Sequence, residues 1–382
     1  MSTDIFNSAK KLGFGLMRLP LNNPAKNDAD INMEELKNMV DMFISRGFTY
    51  FDTALMYCGE ASEAVIKEAL VDRYPREAFT LTDKLHASYI KTEDDPDRVF
   101  NGQLAKTGVD FFDYYLIHDV NVDSIRTYNK LNIFDWIKNK KAKGKIKHIG
   151  ISFHDTPELL DKVLSEHPEI EMVQLQINYL DYDNSVIQSR SNYETATAHN
   201  KPVLVMEPVK GGTLVNLPTE ISDMYKAYNP EASMASWAIR FAASHENVRI
   251  VLSGMSNISQ LEDNTSYMQD FQPLNDEEKA LIDKAAQMLK DSTAIPCTGC
   301  SYCTKGCPLQ IPIPKYFALY NAQLREDPEN KKGWTPQMNY YANMTINSSK
   351  AGECVKCGQC EGICPQHLPV TKYLEDVAGI FE

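Results

Sequence analysis

Asp52, Tyr57, Lys84 and His118 are residue types that together can deliver a proton to a substrate oxygen. A free tyrosine, with a pKa of roughly 10, is a poor acid at neutral pH. A neighbouring cation lowers that pKa, and a carboxylate can hold the cation in place. The run Phe51-Asp52-Thr53-Ala54-Leu55-Met56-Tyr57 supplies the carboxylate and the phenol just past a predicted strand. Two later predicted strands, from Phe79 and from Asp113, end in Lys84 and His118. Taken singly, Asp52 reads as a helix cap, Tyr57 as a half-buried ring and Lys84 as a surface residue. In this order, on three consecutive strand ends, the four read as a proton-donating site.

A second set is built from cysteine. The chain has nine. Cys58 stands alone beside Tyr57 and reads as a small packed residue. The other eight form two runs, Cys297-x2-Cys300-x2-Cys303-x3-Cys307-Pro308 and Cys354-x2-Cys357-x2-Cys360-x3-Cys364-Pro365. This is the cluster-ligand run of bacterial ferredoxins, present twice with both prolines. Zinc is the alternative, but zinc ligands come as two separated pairs. Disulfides are not expected, because no secretion signal is read at the N-terminus. The region resembles a two-cluster [4Fe–4S] ferredoxin. In such proteins the fourth cysteine of each run ligates the other cluster. That implies one set of Cys297, Cys300, Cys303 and Cys364, and another of Cys354, Cys357, Cys360 and Cys307.

The elements that must position these residues follow from periodicity. A short strand is predicted over Gly13 to Arg18, and a helix over Asn32 to Arg46 with Met33, Leu36, Met39, Val40 and Phe43 at helical spacing. Strands and helices then alternate. Strands are predicted from Phe51, Phe79, Asp113, Lys147, Met172, Pro202 and Val248. Helices are predicted from Ser62, Asp97, Asp135, Pro157, Ser191, Met234 and Ile258. The stretch 21–30 reads as loop. Near-continuous apolar strands alternating with helices imply a parallel sheet. Eight such units fit a closed (β/α)8 TIM barrel, an α/β fold with active sites at the C-terminal strand ends. The open doubly wound sheet is the alternative, but no G-x-G-x-x-G follows the first strand. A helix from Asp276 to Lys290 closes this unit, giving domains 1–290 and 291–382 with a boundary near 291–293. The second domain reads as mainly helical, with helices over Lys315 to Glu326 and Val370 to Phe381, and so as a helical dicluster unit.

From Leu12 to Met268 the chain resembles the aldo-keto reductases. The resemblance rests on the D-T-A-x-x-Y run of Asp52 to Tyr57, on Gly59 and Ser62-Glu63 after it, and on Lys84 and His118. It implies that Tyr57 protonates a carbonyl oxygen as hydride reaches the carbon. Lys84 would lower the Tyr57 pKa, Asp52 would hold Lys84, and His118 would orient the carbonyl. It further implies that Ser152, Gln176 and Asn178 hold a nicotinamide amide. Met206 would cover its ring, and Glu207 to Gly212, with Lys210 and Gly211, would lie over the pyrophosphate. Gly254, Ser256 and Asn264 match the adenosine end. Gly15 and Met17, in the first predicted strand, are further candidate cofactor contacts. Gln260 stands where the family often has an arginine for a 2′-phosphate. A glutamine cannot replace that charge, so NADP and NAD both stay open, with Lys210 or Arg249 as alternative cations.

Of 382 residues, 43% are hydrophobic and 24% charged, an ordinary globular composition. A net charge of -13 argues against nucleic acid as a partner. No window approaches the ~18 apolar residues of a membrane span, so a cytoplasmic enzyme is expected. Its partner would be a small carbonyl or alcohol substrate, with a protein redox partner for the clusters. The rival reading is an electron-transfer protein whose barrel serves for docking or sensing, and a third makes the clusters structural. Hydride carries two electrons and a cluster accepts one. Coupling them needs a flavin-like splitter, and no flavin motif is present, which favours separate roles.

Overall fold

The eight predicted strands are almost wholly buried, and this is what closes them into a barrel rather than a half-solvated sheet. The computed structural model describes residues 5–6, 9–23, 29–291, 294–327 and 333–382. The loop over 21–30 lies partly outside the described residues, as do the N-terminal stretch and the predicted boundary at 291–293. The strands are β1 (Leu12–Gly15), β2 (Tyr50–Asp52), β3 (Thr80–His86), β4 (Phe112–Val120), β5 (Ile146–Phe153), β6 (Met172–Gln176), β7 (Val203–Met206) and β8 (Val248–Ser253). All pair in parallel in sequence order, and β8 closes onto β1.

The interior is filled by Tyr50, Tyr114, Leu116, Met172, Leu204, Ile250 and Leu252, with Phe6 stacked on Tyr114. A Cβ at Gly13 would come within 2.7 Å of Leu252 and 2.8 Å of Ile250. The first glycine of the G-x-G therefore makes room for barrel side chains. Outside the barrel, Phe14, Phe43, Phe51, Leu81, Ile117 and Val173 pack against the surrounding helices.

Three differences from the expected elements bear on the site. β1 stops at Gly15, so Met17 lies in the following loop with 40% of its surface exposed. β3 and β4 run two residues beyond Lys84 and His118, so both side chains sit inside the barrel mouth rather than at its rim. The helix expected over 62–74 is an α-helix only over Ser62–Ile66, and continues as a π-helix over Lys67–Val71.

The small domain is helical. Its helices Ile313–Glu326, Pro336–Thr345 and Val370–Phe381 share a core of Tyr316, Phe317, Tyr341, Leu374 and Val377. Val186 and Ile187, from the loop after β6, belong to that same core. The cluster domain therefore grips the barrel's C-terminal face. Among the described residues, no helix is long and apolar enough to cross a membrane.

Candidate active site and cysteine cavities

The loop after β2 turns through three successive residues with positive φ, Cys58 (52°), Gly59 (59°) and Glu60 (69°). It is anchored to the loop after β1: Ser62 Oγ donates to Leu16 O at 3.0 Å and pairs with Thr53 Oγ1 at 2.7 Å. Cys58 is buried there, with its thiol 3.4 Å from Met17 O. These contacts fix the turn that directs Tyr57 inward.

Lys84 is fully buried, and its ammonium meets three oxygens. They are Asp52 Oδ1 at 2.5 Å, Thr53 O at 2.8 Å and Tyr57 Oη at 3.2 Å. Burial works against this charge, but Asp52 and then Tyr57 outweigh it and hold Lys84 above its ordinary pKa. Burial pushes the Asp52 carboxyl up, with Lys84 opposing. Burial likewise pushes the Tyr57 phenol up, and the Lys84 ammonium pulls it back. The phenol is thus held protonated, the state a proton donor needs.

His118 lies edge-on to Tyr57, with ring centroids 6.1 Å apart at 84°. Burial, and after it Lys84 and His86, hold its pKa well below the usual imidazole value, so it is neutral at pH 7. Its Nδ1 is buried and meets no hydrogen-bond partner among the described residues. All four expected residues are therefore brought together. Behind Lys84, Asp83 Oδ1 accepts from Lys84 N (2.8 Å) and Gln103 Nε2 (2.9 Å). Burial, then the nearby Glu63 carboxylate, push Asp83 well up. Ser62 thus anchors the loop after β2, while Glu63 lies beside Asp83 and pairs with Lys106.

The expected nucleotide contacts divide. Ser152 Oγ accepts from Asp119 N at 2.7 Å. Asp181 gathers three neighbours: Gln176 Nε2 (3.0 Å), Asn178 Nδ2 (3.0 Å) and Lys210 Nζ (2.5 Å). Lys210 is buried on that carboxylate, and Arg249 is the second residue of β8, at the end of the barrel away from the mouth. Neither is placed to meet a phosphate at the mouth. Arg18 is an exposed cation at the mouth that no sequence pattern singles out. Arg18 Nη1 donates to Gly211 O at 3.2 Å, and its stem lies 3.4 Å from where a Gly254 Cβ would be. Gly211 (φ 61°) and Gly212 (φ 99°) turn in the left-handed region that glycine adopts freely, and Gly211 N donates to Glu207 Oε2 at 2.8 Å. Met206 ends β7, half-buried. Gln260 Oε1 accepts from Ser256 N at 2.7 Å, and Asn264 Nδ2 donates to Ser253 Oγ at 2.8 Å. Gly15 ends β1 beside β8.

In the small domain the thiols line two cavities. One is bordered by Cys297, Cys300, Cys303 and Cys364. The other is bordered by Cys307, Cys354, Cys357 and Cys360. Each cavity takes its fourth cysteine from the other run. Burial pushes the Cys360 thiol up to about 11.

Comparison with known proteins agrees with this layout. The sequence profile of the Aldo/keto reductase family matches residues 11–287, and that of the 4Fe-4S dicluster domain matches 296–368. The soybean (Glycine max) protein "Probable aldo-keto reductase 1" is 29% identical over 178 residues, which is 44% of this chain and 47% of that protein. The chain thus spans about half the length of this curated relative. An aldo-keto reductase from Klebsiella pneumoniae, solved in complex with NADPH, superposes with a TM-score of 0.56 at 19% identity. The match covers 72% of this chain and 90% of that one. The holo form of an aldo-keto reductase from Bacillus halodurans gives a TM-score of 0.56 at 21% identity, covering 72% and 91%. At those identities the two structures speak for the fold. The profile match over 11–287 speaks for descent: the chain belongs to the aldo/keto reductase family and carries a C-terminal 4Fe-4S dicluster domain.

Proposed function

We propose that the protein is an NAD(P)H-dependent reductase of a small carbonyl compound, working equally as an alcohol dehydrogenase in reverse. The reading divides it into a catalytic barrel (1–290) and a domain holding two [4Fe–4S] clusters (291–382). The observation that carries it is the buried Lys84 ammonium, held 2.5 Å from Asp52 and 3.2 Å from the Tyr57 hydroxyl.

A bound nicotinamide would supply hydride to the carbonyl carbon. The residues at the mouth suit it: Gln176 Oε1 is buried without a hydrogen-bond partner among the described residues, and the exposed Arg18 guanidinium lies beside Gly211 and Gly254. The Tyr57 hydroxyl then gives its proton to the carbonyl oxygen as charge develops there. Lys84, already in contact, stabilises the phenolate left behind, and Asp52 keeps the ammonium charged and in place. A neutral His118 can donate a hydrogen bond to the same oxygen without competing as a stronger acid. Positioned acid catalysis of this kind contributes ~10²–10⁴ in rate.

The cysteine cavities suit cubane clusters. Four thiols border each cavity, three from one run and the fourth from the other, the ligand number a cubane takes. The test of the reductase reading is Tyr57→Phe, which removes only the hydroxyl. Carbonyl turnover should fall at least a hundredfold while nucleotide affinity stays within twofold. A variant that keeps near-parental turnover would show that Tyr57 is not the acid.

A further inference from the structure

The cluster domain reaches the catalytic centre itself. Asn339, in the helix Pro336–Thr345, donates its side-chain amide to both oxygens of Asp119, at 3.2 and 3.3 Å. Asp119 immediately follows His118 in β4, and its backbone is held at a positive φ of 50°, a costly conformation for a residue with a side chain. Ser152 Oγ fixes its amide, and Asn121 Nδ2 meets its carboxylate at 3.1 Å. The same carboxylate lies 3.6 Å from His86 Nε2, and the His86 ring stands edge-on to His118 with centroids 5.3 Å apart. Next along the helix, Tyr340 is buried, with its ring 6.3 Å from that of His154. A continuous line of contacts therefore runs from the cluster domain through Asp119 and His86 to His118.

We propose that Asn339 is a positioning residue for the reaction: it holds the Asp119 carboxylate, which sets the His86–His118 pair at the substrate's oxygen. The barrel then lacks a complete active site until the cluster domain is docked on it. This rests on the reductase reading above, in which His118 orients the carbonyl. The physical basis is that a strained peptide beside a catalytic ring keeps its geometry only when its surroundings over-determine it. Misplacing a positioned group by about 1 Å can cost as much as a hundredfold in rate.

The test uses the holoprotein with Asn339→Ala and Asn339→Leu. Leucine keeps a branched side chain without the donor, so a loss due only to missing volume would spare it. Both variants should lose about tenfold in kcat for a carbonyl that the parent reduces. Nucleotide affinity should stay within twofold, and the visible absorbance of the clusters should be retained. Ring resonances of His86, His118 and His154 in protein carrying labelled histidine should shift, leaving the remaining five of the eight histidines in place. Turnover within twofold of the parent in both variants, or a loss matched by loss of cluster absorbance, would overturn the assignment. A parent that reduces no carbonyl would sink the reductase reading alone. Asn339 would then be judged on the imidazole resonances, and unmoved resonances would overturn it.

Discussion

Lys84 shows why the catalytic group tolerates full burial. Desolvating an ammonium costs several kcal/mol unless partners surround it, and Asp52 Oδ1, Thr53 O and Tyr57 Oη do so. Removing one partner would leave a buried charge, so the site is rigid because it has no cheap alternative arrangement. Residue types and order at strand ends made this tetrad legible in the sequence. The role of Lys210 was not, because its partner Asp181 lies 29 positions away and only the fold brings them together. Arg18 escaped for the converse reason: it follows β1 with no patterning of its own, and gains meaning from touching the Gly211 turn. At this scale nucleotide choice becomes predictable. Arg18 bridges the loops after β7 and β8, while Gln260 is used internally by Ser256 and carries no charge. Arg18→Gln should weaken NADH and NADPH by similar factors, about tenfold or roughly 1.4 kcal/mol, as expected for a contact to the phosphates both share. The parent's preference for NADPH should stay below about a hundredfold, roughly 2.7 kcal/mol. Fluorescence titration of both nucleotides measures this. A selective loss of NADPH alone would move Arg18 to the 2′-phosphate.

The elements were legible where burial imposes a period. Strands such as β8 (Val248–Ser253) and helices such as Ile258–Met268 and Val370–Phe381 lie where apolar spacing puts them. Among the described residues, the helices Ser124–Lys130, Thr219–Tyr228 and Pro336–Thr345 lie where none is expected. The last reads Pro-Gln-Met-Asn-Tyr-Tyr-Ala-Asn-Met-Thr, with polar and aromatic residues mixed. It serves two surfaces, since Tyr341 faces the small-domain core while Asn339 and Tyr340 face the barrel. A helix buried on two sides loses the single apolar stripe that reveals a helix in sequence. The cysteine runs lie at the other extreme, because ligand spacing is set by the cluster and not by context. Their crossed arrangement gives the element-scale prediction. In Cys307→Ser, half the iron should be lost. Thiol alkylation followed by mass spectrometry should then find Cys354, Cys357 and Cys360 newly reactive, with Cys297, Cys300, Cys303 and Cys364 still protected. Labelling of Cys297, Cys300 and Cys303 instead would assign Cys307 to its own run.

At the scale of the molecule, the two units share structure at several places among the described residues, three of them bearing on the mouth of the barrel. Val186 and Ile187 are buried in the small-domain core, Asn339 meets Asp119, and Glu326 packs on Gly211 so closely that an added Cβ would lie 2.7 Å from its carboxylate. The third point touches the loop expected over the nucleotide's pyrophosphate. Metal binding and folding are linked wherever the unoccupied ligands do not hold a domain together. Here the cysteines bracket the helices Ile313–Glu326 and Pro336–Thr345, with little regular structure of their own beyond the four-residue helices Tyr302–Lys305 and Gln359–Gly362. The barrel has a separate core that does not depend on them. Stripping iron anaerobically with a chelator should therefore melt the small domain and leave the barrel folded. Limited proteolysis should cut within 294–382 and spare 12–268, and the buried Trp237 should keep its emission. With Glu326 no longer backing Gly211, nucleotide affinity should fall about three- to tenfold, roughly 0.7 to 1.4 kcal/mol. Restoring iron and sulfide should recover it. An iron-free protein that resists the protease and binds nucleotide within twofold of the parent would mean that the clusters hold up neither the small domain nor the mouth of the barrel.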